Sequence, residues 1–434
     1  MIAMGSSQMY PGEVGILRMR RLYAQLKKSS NFCFKVIHVA GTSGKGSTTL
    51  IASLILQKLG YKVGVFITPY LHLPEECIQI NGQFSQKRLL AKAKKIVEKA
   101  VIEIETPEMG EVSYFERLTA TALVYFTLQK VDVVIFETAM GGLFDATNVV
   151  ESDVAIVTPV SFDHTRLLGN NIADIAHHKA GIIKKSNRAV VVSRQVPRVL
   201  DIIENTAHSL GVASIVLGRD FEVDTVQMSE EGTVFSYRSY GAAGGVRLQD
   251  MQLSLIGAHQ ADNAAVALTA VRALLGTGSG KAAFEKAARA ALKRVKNPGR
   301  FDIERHGSKI VVKDVAHNPA KIASVITTFK TLYPGQKALL IFSCKWTKDI
   351  ETMAHQLKAI ADTVLLTTFK DKNNPDVNRV MAKSKLLETF EQEGFTTTWY
   401  DDPSQTLIDA LESEHTFVII TGSFHLLRSL DVSA

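Results

Sequence analysis

Short apolar runs alternate with amphipathic stretches along most of this chain. Residues 35–40 (Lys-Val-Ile-His-Val-Ala) form an apolar, partly β-branched run of the kind that makes a buried strand. After a glycine-rich break, Leu50, Ile51, Leu54, Ile55 and Leu59 recur at helical spacing until Gly60, which supplies a C-terminal cap. Residues 61–67 read as a second strand, stopped before Pro69. Helical periodicity is expected over 14–28, over the lysine-rich 89–102 and over the apolar 114–129. The run 131–136 reads as a strand buried on both faces, with Glu137 at its carboxyl end. Residues 153–159 repeat that arrangement, with Asp163-His164 just beyond, and 189–192 make another strand. Residues 221–240 read as a hairpin turning near Glu230-Glu231-Gly232, and 253–257 lead into a small-residue helix over 262–275.

Asn297-Pro298-Gly299 interrupts helical sequence, and the alternation then starts again. Strands are expected over 310–314, 338–342, 363–367 and 416–421, with helices over 320–332, 350–361 and 377–393 between them. The pattern predicts an α/β protein of two units: residues 1–297, with a parallel sheet behind a glycine loop, and residues 298–434, a second parallel α/β domain. A chain of 434 residues is long for one core, which agrees with two domains.

Composition narrows the class. With 46% hydrophobic and 21% charged residues, this is a packed globular protein. No apolar run reaches the length of a membrane span and residues 1–13 lack an apolar signal core, so a soluble, cytoplasmic protein is expected. Cys33, Cys77 and Cys344 lie too far apart in sequence for a chelating pair and are too few for a disulfide framework. The net charge of +7 is spread along the chain without a nucleic-acid motif. It suits anionic small substrates, and a solvated surface explains it equally well.

The glycine-rich break is the first candidate for chemistry. Gly41-Thr42-Ser43-Gly44-Lys45-Gly46-Ser47-Thr48 follows a strand and opens a helix. Glycines let the backbone approach a phosphate, successive N–H groups point inward, and the helix presents its positive end. Lys45 adds a mobile charge, and Ser47 or Thr48 places a hydroxyl near a magnesium ion. Gly46 separates Lys45 from Ser47, so the pattern differs from the common G-x-x-x-x-G-K-[ST]. In a doubly wound sheet, ligands bind beyond the carboxyl ends of the strands, where the glycine loop, Thr68, Glu137 and His164 would face one crevice.

Together these motifs resemble the folylpolyglutamate synthase and dihydrofolate synthase family. The match takes in residues 41–47, Glu137 with Gly141-Gly142 and Asp145-Ala146-Thr147-Asn148, Asp163-His164-Thr165 with Leu168-Gly169, and Lys179-Ala180-Gly181-Ile182-Ile183. It continues through His259-Gln260 with Asn263-Ala264, Pro298-Gly299-Arg300, and Asp314-Val315-Ala316-His317-Asn318-Pro319. These enzymes belong with the Mur-type amide ligases, and the resemblance implies their architecture: a P-loop-type ATPase domain followed by a Rossmann-like domain. It implies ATP as co-substrate, magnesium (two ions), L-glutamate, a folate-type acid activated as an acyl phosphate, and a monomer. By resemblance Thr68, Glu137 and His164 hold the metal with Ser47 close to the phosphates, and Lys179 is a lysine that can be carbamylated to join them. Arg300 would meet the ATP phosphates across the cleft, Asp314 the ribose, and His317 the nucleotide or the incoming glutamate. Gln260 and Asn263 would frame the adenine side.

The chain also departs from the family pattern. Tyr70 stands where a histidine is frequent, Ser43 for an asparagine, Val315 for a glycine, and Cys77 and Leu143 for arginines. Two cations are thereby removed from segments on the acid side. A ligase of the same chemistry acting on another carboxylic acid, or with another amino acid, is therefore the alternative. A nucleotide-binding protein without turnover is the rival from another class, and it leaves Lys45, Glu137, His164, Lys179, Asp314 and His317 unexplained.

Overall fold

The computed structural model describes residues 12–68, 74–276, 280–369 and 380–430. Its largest element is an eight-stranded sheet built on β1 (Lys35–Ala40), β2 (Val63–Phe66), β3 (Ile78–Ile80), β4 (Gln83–Phe84), β5 (Val133–Glu137), β6 (Val154–Val157), β7 (Ala189–Val192) and β8 (Ser214–Val216). The order is β4-β3-β2-β5-β1-β6-β7-β8. The six strands from β2 to β8 run parallel, and β3 and β4 add an antiparallel edge. Because β1, β2, β5, β6 and β7 are covered on both faces, they read as continuous apolar runs.

Helix Lys45–Lys58 lies on one face with Ala258–Leu275 and Lys281–Leu292, and Lys87–Ile104 and Tyr114–Leu128 cover the other. A Cβ on Gly64 in β2 would fall 2.7 Å from the Phe126 ring, so the absence of a side chain there lets Phe126 close on the sheet beside Phe136. Each such fully buried aromatic contributes roughly 1.5–3 kcal/mol of transfer free energy. At the start of Tyr114–Leu128, Ser113 and Glu116 make a reciprocal capping box, and Glu116 also receives Arg18 from helix Gly12–Lys27 at 2.7 Å.

A three-stranded antiparallel sheet, β9 (Phe221–Ser229), β10 (Gly232–Ser239) and β11 (Arg247–Leu253), packs against helix Ala258–Leu275, with Tyr237 Oη and Thr269 Oγ1 2.9 Å apart. The second large sheet contains β12 (Asp302–His306), β13 (Lys309–Lys313), β14 (Leu339–Phe342), β15 (Thr363–Thr367), β16 (Thr396–Tyr400) and β17 (Phe417–Thr421), in the order β12-β13-β17-β14-β15-β16. Only β12 is antiparallel to its neighbour, so this is a Rossmann-like parallel layer with one hairpin edge. Among the described residues, no helix is long and apolar enough to cross a membrane.

Several expected elements differ in extent. The helix placed at 262–275 begins at Ala258, directly after Gly257 at φ +125°, and thus includes His259 and Gln260. The helix placed at 350–361 ends at Leu357, after which tighter turns bring the chain to β15. Of the helix placed at 377–393, Lys383–Gln392 is helical, Val380 bridges to Lys345, and 377–379 lie outside the described residues, as does Tyr70. Absent from the sequence reading were β3, β4, β8, β11, β12 and β16 and the helices Ile172–Ala180, Pro197–Ser209, Lys281–Leu292, Pro403–Glu412 and Phe424–Leu430.

Candidate active site

The two parallel sheets face each other by their carboxyl ends. The neighbours β2, β5, β1 and β6 deliver Thr68, Glu137, the loop 41–48 and Asp163-His164 to one edge. From the other side, β13 delivers Asp314 to Asn318, and β14 delivers Lys348. The crevice expected from strand order is therefore present, and a second domain closes it.

The glycine loop leads directly into helix Lys45–Lys58. Gly44 is the helix N-cap at φ +84°, and a Cβ there would fall 2.3 Å from Asn263 Oδ1, so both conformation and space demand glycine. Asn263 in turn donates from Nδ2 to Gln260 Oε1 at 3.0 Å, which sets this pair directly against the loop. Thr42 accepts from the Ser161 N–H and donates to the Ser161 carbonyl, tying the loop to the chain after β6. Ser43 Oγ and Thr48 Oγ1 are buried without partners among the described residues, whereas Ser47 Oγ accepts from Asn297.

Two ammonium groups share one acceptor. Lys45 Nζ donates to the Gly41 carbonyl at 3.1 Å and Lys179 Nζ donates to the same oxygen at 2.8 Å. Burial brings Lys179 down to about 7, and Lys45 pushes it the same way. A chain of contacts brings that lysine here. Asp145 accepts the N–H groups of Ala139, Met140 and Thr147 and thereby shapes the segment after β5. Asn148 then donates to the carbonyls of Leu143 and Gly181, and the Leu143 N–H donates to the His178 carbonyl at 2.7 Å, fixing helix Ile172–Ala180.

Glu137 lies 3.9 Å from Lys45 and is almost fully buried, which raises it to about 7 against the pull of Lys45 and Arg300. The Thr68 N–H donates to its carboxylate, yet its Oε2 has no partner among the described residues. A buried, unpaired carboxylate oxygen, 3.6 Å from where a Cβ on Gly46 would be, suits a hard divalent cation. Among the described residues, no three His, Cys, Asp or Glu side chains gather as a group able to hold a metal. The candidate donors expected from the sequence, one carboxylate, hydroxyls and an imidazole, are of a kind that suits magnesium rather than a zinc-type cage.

His164 stands at φ +52° at the start of a short turn. Desolvation by the surrounding protein, together with Lys348, Lys179 and Lys45, lowers it to about 4 against the pull of Asp163, although 41% of the side chain stays accessible to water. Desolvation and the cations Lys321 and Lys348 also hold His317 well below its usual range. Its Nδ1–H donates to the Val315 carbonyl at 2.8 Å, and its Nε2 accepts from Lys321 at 3.0 Å. Asp314 is buried, which raises it to about 6, and it accepts the N–H groups of Phe301 and Ala316. Arg300 is placed by the same turn. Its charge acts on Glu137, Asp314 and Lys321 alike, and the guanidinium donates to the Gly299 carbonyl at 3.2 Å.

Sequence reading passed over the group that joins the two sides. The Asp163 side chain, only 9% exposed, accepts from Lys348 at 2.7 Å and from Asn318 Nδ2 at 3.2 Å, with His317 Nε2 at 3.8 Å. Outside this pair, the Arg166 guanidinium stacks 4.2 Å over the Trp346 ring. Asp163 was visible only as the neighbour of His164, and Lys348 had no local signal at all. Lys45, Lys179, Lys321, Lys348 and Arg300 outnumber Glu137, Asp163 and Asp314, so the cleft is built for a polyanion. Of the departures noted in sequence, Cys77 is buried in the core under β2, and Leu143 packs against Gly181 while staying partly exposed.

Comparison with known proteins finds relatives over almost the whole chain. Residues 111–271 match the Mur ligase middle domain, and residues 299–424 match the Mur ligase glutamate ligase domain. The chain is 31% identical to the dihydrofolate synthase/folylpolyglutamate synthase of Bacillus subtilis over 96% of its own length and 94% of the relative's. It is 30% identical to the protein of that name from Escherichia coli, over 95% and 89%. Among solved structures, Mycobacterium tuberculosis folylpolyglutamate synthase complexed with ADP superposes with a TM-score of 0.87 at 27% identity, covering 98% of this chain and 95% of that one. E. coli FolC in complex with DHPP and ADP gives 0.82 at 29%, covering 96% and 92%.

Proposed function

We propose, on the premise that this chain belongs to the dihydrofolate synthase/folylpolyglutamate synthase family, that it is an ATP-dependent ligase joining a folate-type carboxylic acid to L-glutamate. The acid's carboxylate attacks the γ-phosphorus of ATP and ADP leaves. The glutamate amine then displaces phosphate from the acyl phosphate and loses its proton as the amide forms.

The residues divide this work by position. The N–H groups of residues 41–48 and the positive end of helix Lys45–Lys58 receive the phosphates, with Lys45 gripping them from within and Arg300 from the second domain. Ser47, Thr68, Glu137 and His164 would hold magnesium, and Lys179 would join them as a carbamate. The paired ions accompanying ATP supply neutralisation of the phosphate oxygens when bound. A lysine near 7 has a substantial neutral fraction at physiological pH, and that amine is the form that takes up carbon dioxide. Asp314 keeps lone pairs for the ribose while its backbone contacts fix the turn, and Gln260 with Asn263 borders the adenine side. His317, with its Nδ1–H on the Val315 carbonyl and its Nε2 accepting from Lys321, would border the nucleotide or the incoming glutamate.

The observation that carries this reading is Glu137: a buried carboxylate with one unpaired oxygen, set against a phosphate loop crowded by lysines. We divide the chain at 297/298, in keeping with a second sheet that begins at Asp302. The family resemblance supports action as a monomer in the cytoplasm, with ATP, L-glutamate and a folate-type acid as its small-molecule partners.

The test is phosphate release from ATP with magnesium and L-glutamate, using dihydropteroate, tetrahydrofolate or no acid, with mass analysis of the product. A product heavier by one glutamyl unit is expected with at least one folate-type acid, and Lys45→Ala should abolish it while leaving the fold intact. ADP formed without a folate product would overturn the folate assignment and move the search to other acids. It would direct attention to the segments around Cys77 and Leu143.

A further inference from the structure

The connector between the domains reaches back into the phosphate loop, and the roles above leave that contact unused. Asn297 lies between helix Lys281–Leu292 and β12, 250 positions away from Ser47 in sequence. Its Nδ2 donates to Ser47 Oγ at 3.0 Å and stands 3.8 Å from where a Cβ on Gly46 would be. Two residues later the chain is fixed again, on the second sheet. The Gly299 N–H donates to Asp302 Oδ2 at 2.5 Å, and the Gly299 carbonyl accepts the Val315 N–H at 3.0 Å. Arg300 follows directly. The connector is thus pinned to the phosphate loop at one end and to the β13 side at the other, with Arg300 set by both.

The direction of the Asn297 bond matters. Ser47 is 2% exposed and sits in the first turn of its helix. A serine in that setting without another partner turns to its own backbone, and its lone pairs rotate with it. By donating into one lone pair, Asn297 leaves the other lone pair and the hydroxyl proton for the phosphates and their cation.

We propose that Asn297 is a positioning residue for the nucleotide. It orients the Ser47 hydroxyl and, through the connector, registers Arg300 against the phosphate loop. The inference rests on the reading of residues 41–48 as a nucleotide loop. Asn297 touches neither substrate nor reacting atoms in this role.

The test is calorimetric titration of the intact protein with ADP, with and without magnesium, alongside ATP kinetics. Asn297→Ala should weaken Mg-ADP binding about five- to tenfold, the worth of one well-placed hydrogen bond, and raise the KM for ATP with kcat largely kept. Asn297→Asp keeps the size and removes the donor, so it should weaken binding at least as much; it also carries the test if the alanine variant does not fold. In a Ser47→Ala background, Asn297→Ala should add no further loss. Wild-type affinity in Asn297→Asp, or an additive loss in the Ser47→Ala background, would overturn the proposal. Wild-type protein that bound no ADP would instead overturn the nucleotide-loop reading beneath it.

Discussion

Glu137 and Lys179 oppose each other in their effect on stability, and the signs can be worked out with the metal chelated. Glu137 rises from 4.5 to about 7 on folding, so between those values the folded state keeps a proton that the unfolded state has released. Stability therefore falls as pH rises through that window. Lys179 drops from 10.5 to about 7, so between 7 and 10.5 the unfolded state binds the extra proton and stability rises with pH. Glu137→Gln should consequently stabilise the metal-free protein at pH 8, by on the order of 3 kcal/mol, and hardly at all near pH 4. Lys179→Met should stabilise it at pH 6, with the gain shrinking towards pH 10. Urea melts across pH check both; a Glu137→Gln gain independent of pH would mean that the carboxylate is not strained by burial. Both variants should lose ligase turnover, since the groups that cost the fold most are those the site needs.

The strand, loop and helix over 35–58 were legible in the sequence because each local signal agreed with the tertiary outcome. An apolar run ends in glycines, and a helical period resumes. Gly44 shows how tightly this element is drawn. Gly44→Ala should cost about 1–2 kcal/mol for a left-handed alanine, with a further cost for displacing Asn263, and should abolish detectable nucleotide binding; calorimetric titration with ADP and a urea melt measure the two effects. Other elements were not legible, for identifiable reasons. β12 is Asp-Ile-Glu-Arg-His, a polar edge strand with no apolar run, and β16 is Thr-rich with intermediate burial. Helix Pro403–Glu412 begins at a proline that reads equally well as a turn. The start of helix Ala258–Leu275 was not legible because Gly257 and His259 look like loop chemistry, although the helix begins directly after Gly257 and includes His259. The gathering of residues beyond the strand ends, as with Glu137 and His164, was legible. It was illegible for Asn297 and Lys348, whose partners lie 250 and 185 positions away.

At the scale of the whole molecule, the two large sheets face each other and are clasped at Asp163. Lys348 and Asp163 are 12% and 9% exposed, so removing one leaves the other charged and poorly solvated. Asp163→Ala should destabilise the protein by about 3 kcal/mol or more, whereas Asp163→Ala/Lys348→Met should recover a good part of that loss in a urea melt. Equal losses would show that the clasp is no more than a surface pair. A second contact lies at the far end, where Glu230 at the β9–β10 turn meets Arg305 and Tyr333. Two separated fastenings, one in the cleft and one at the hairpin tip, give the domains a defined relative placement around the connector.

The carbonyl of Gly41, which serves both Lys45 and Lys179, gives the resting state a mechanical character. Two amines are held on one small dipole, and Glu137, 3.9 Å from Lys45, faces only one of them. Such a site resembles a compressed spring, and the arriving phosphate relaxes it. Pyrophosphate, which can draw Lys45 off that oxygen, should therefore raise the melting temperature more than sulfate at equal ionic strength, and should do so less in Lys179→Met, where the compression is gone.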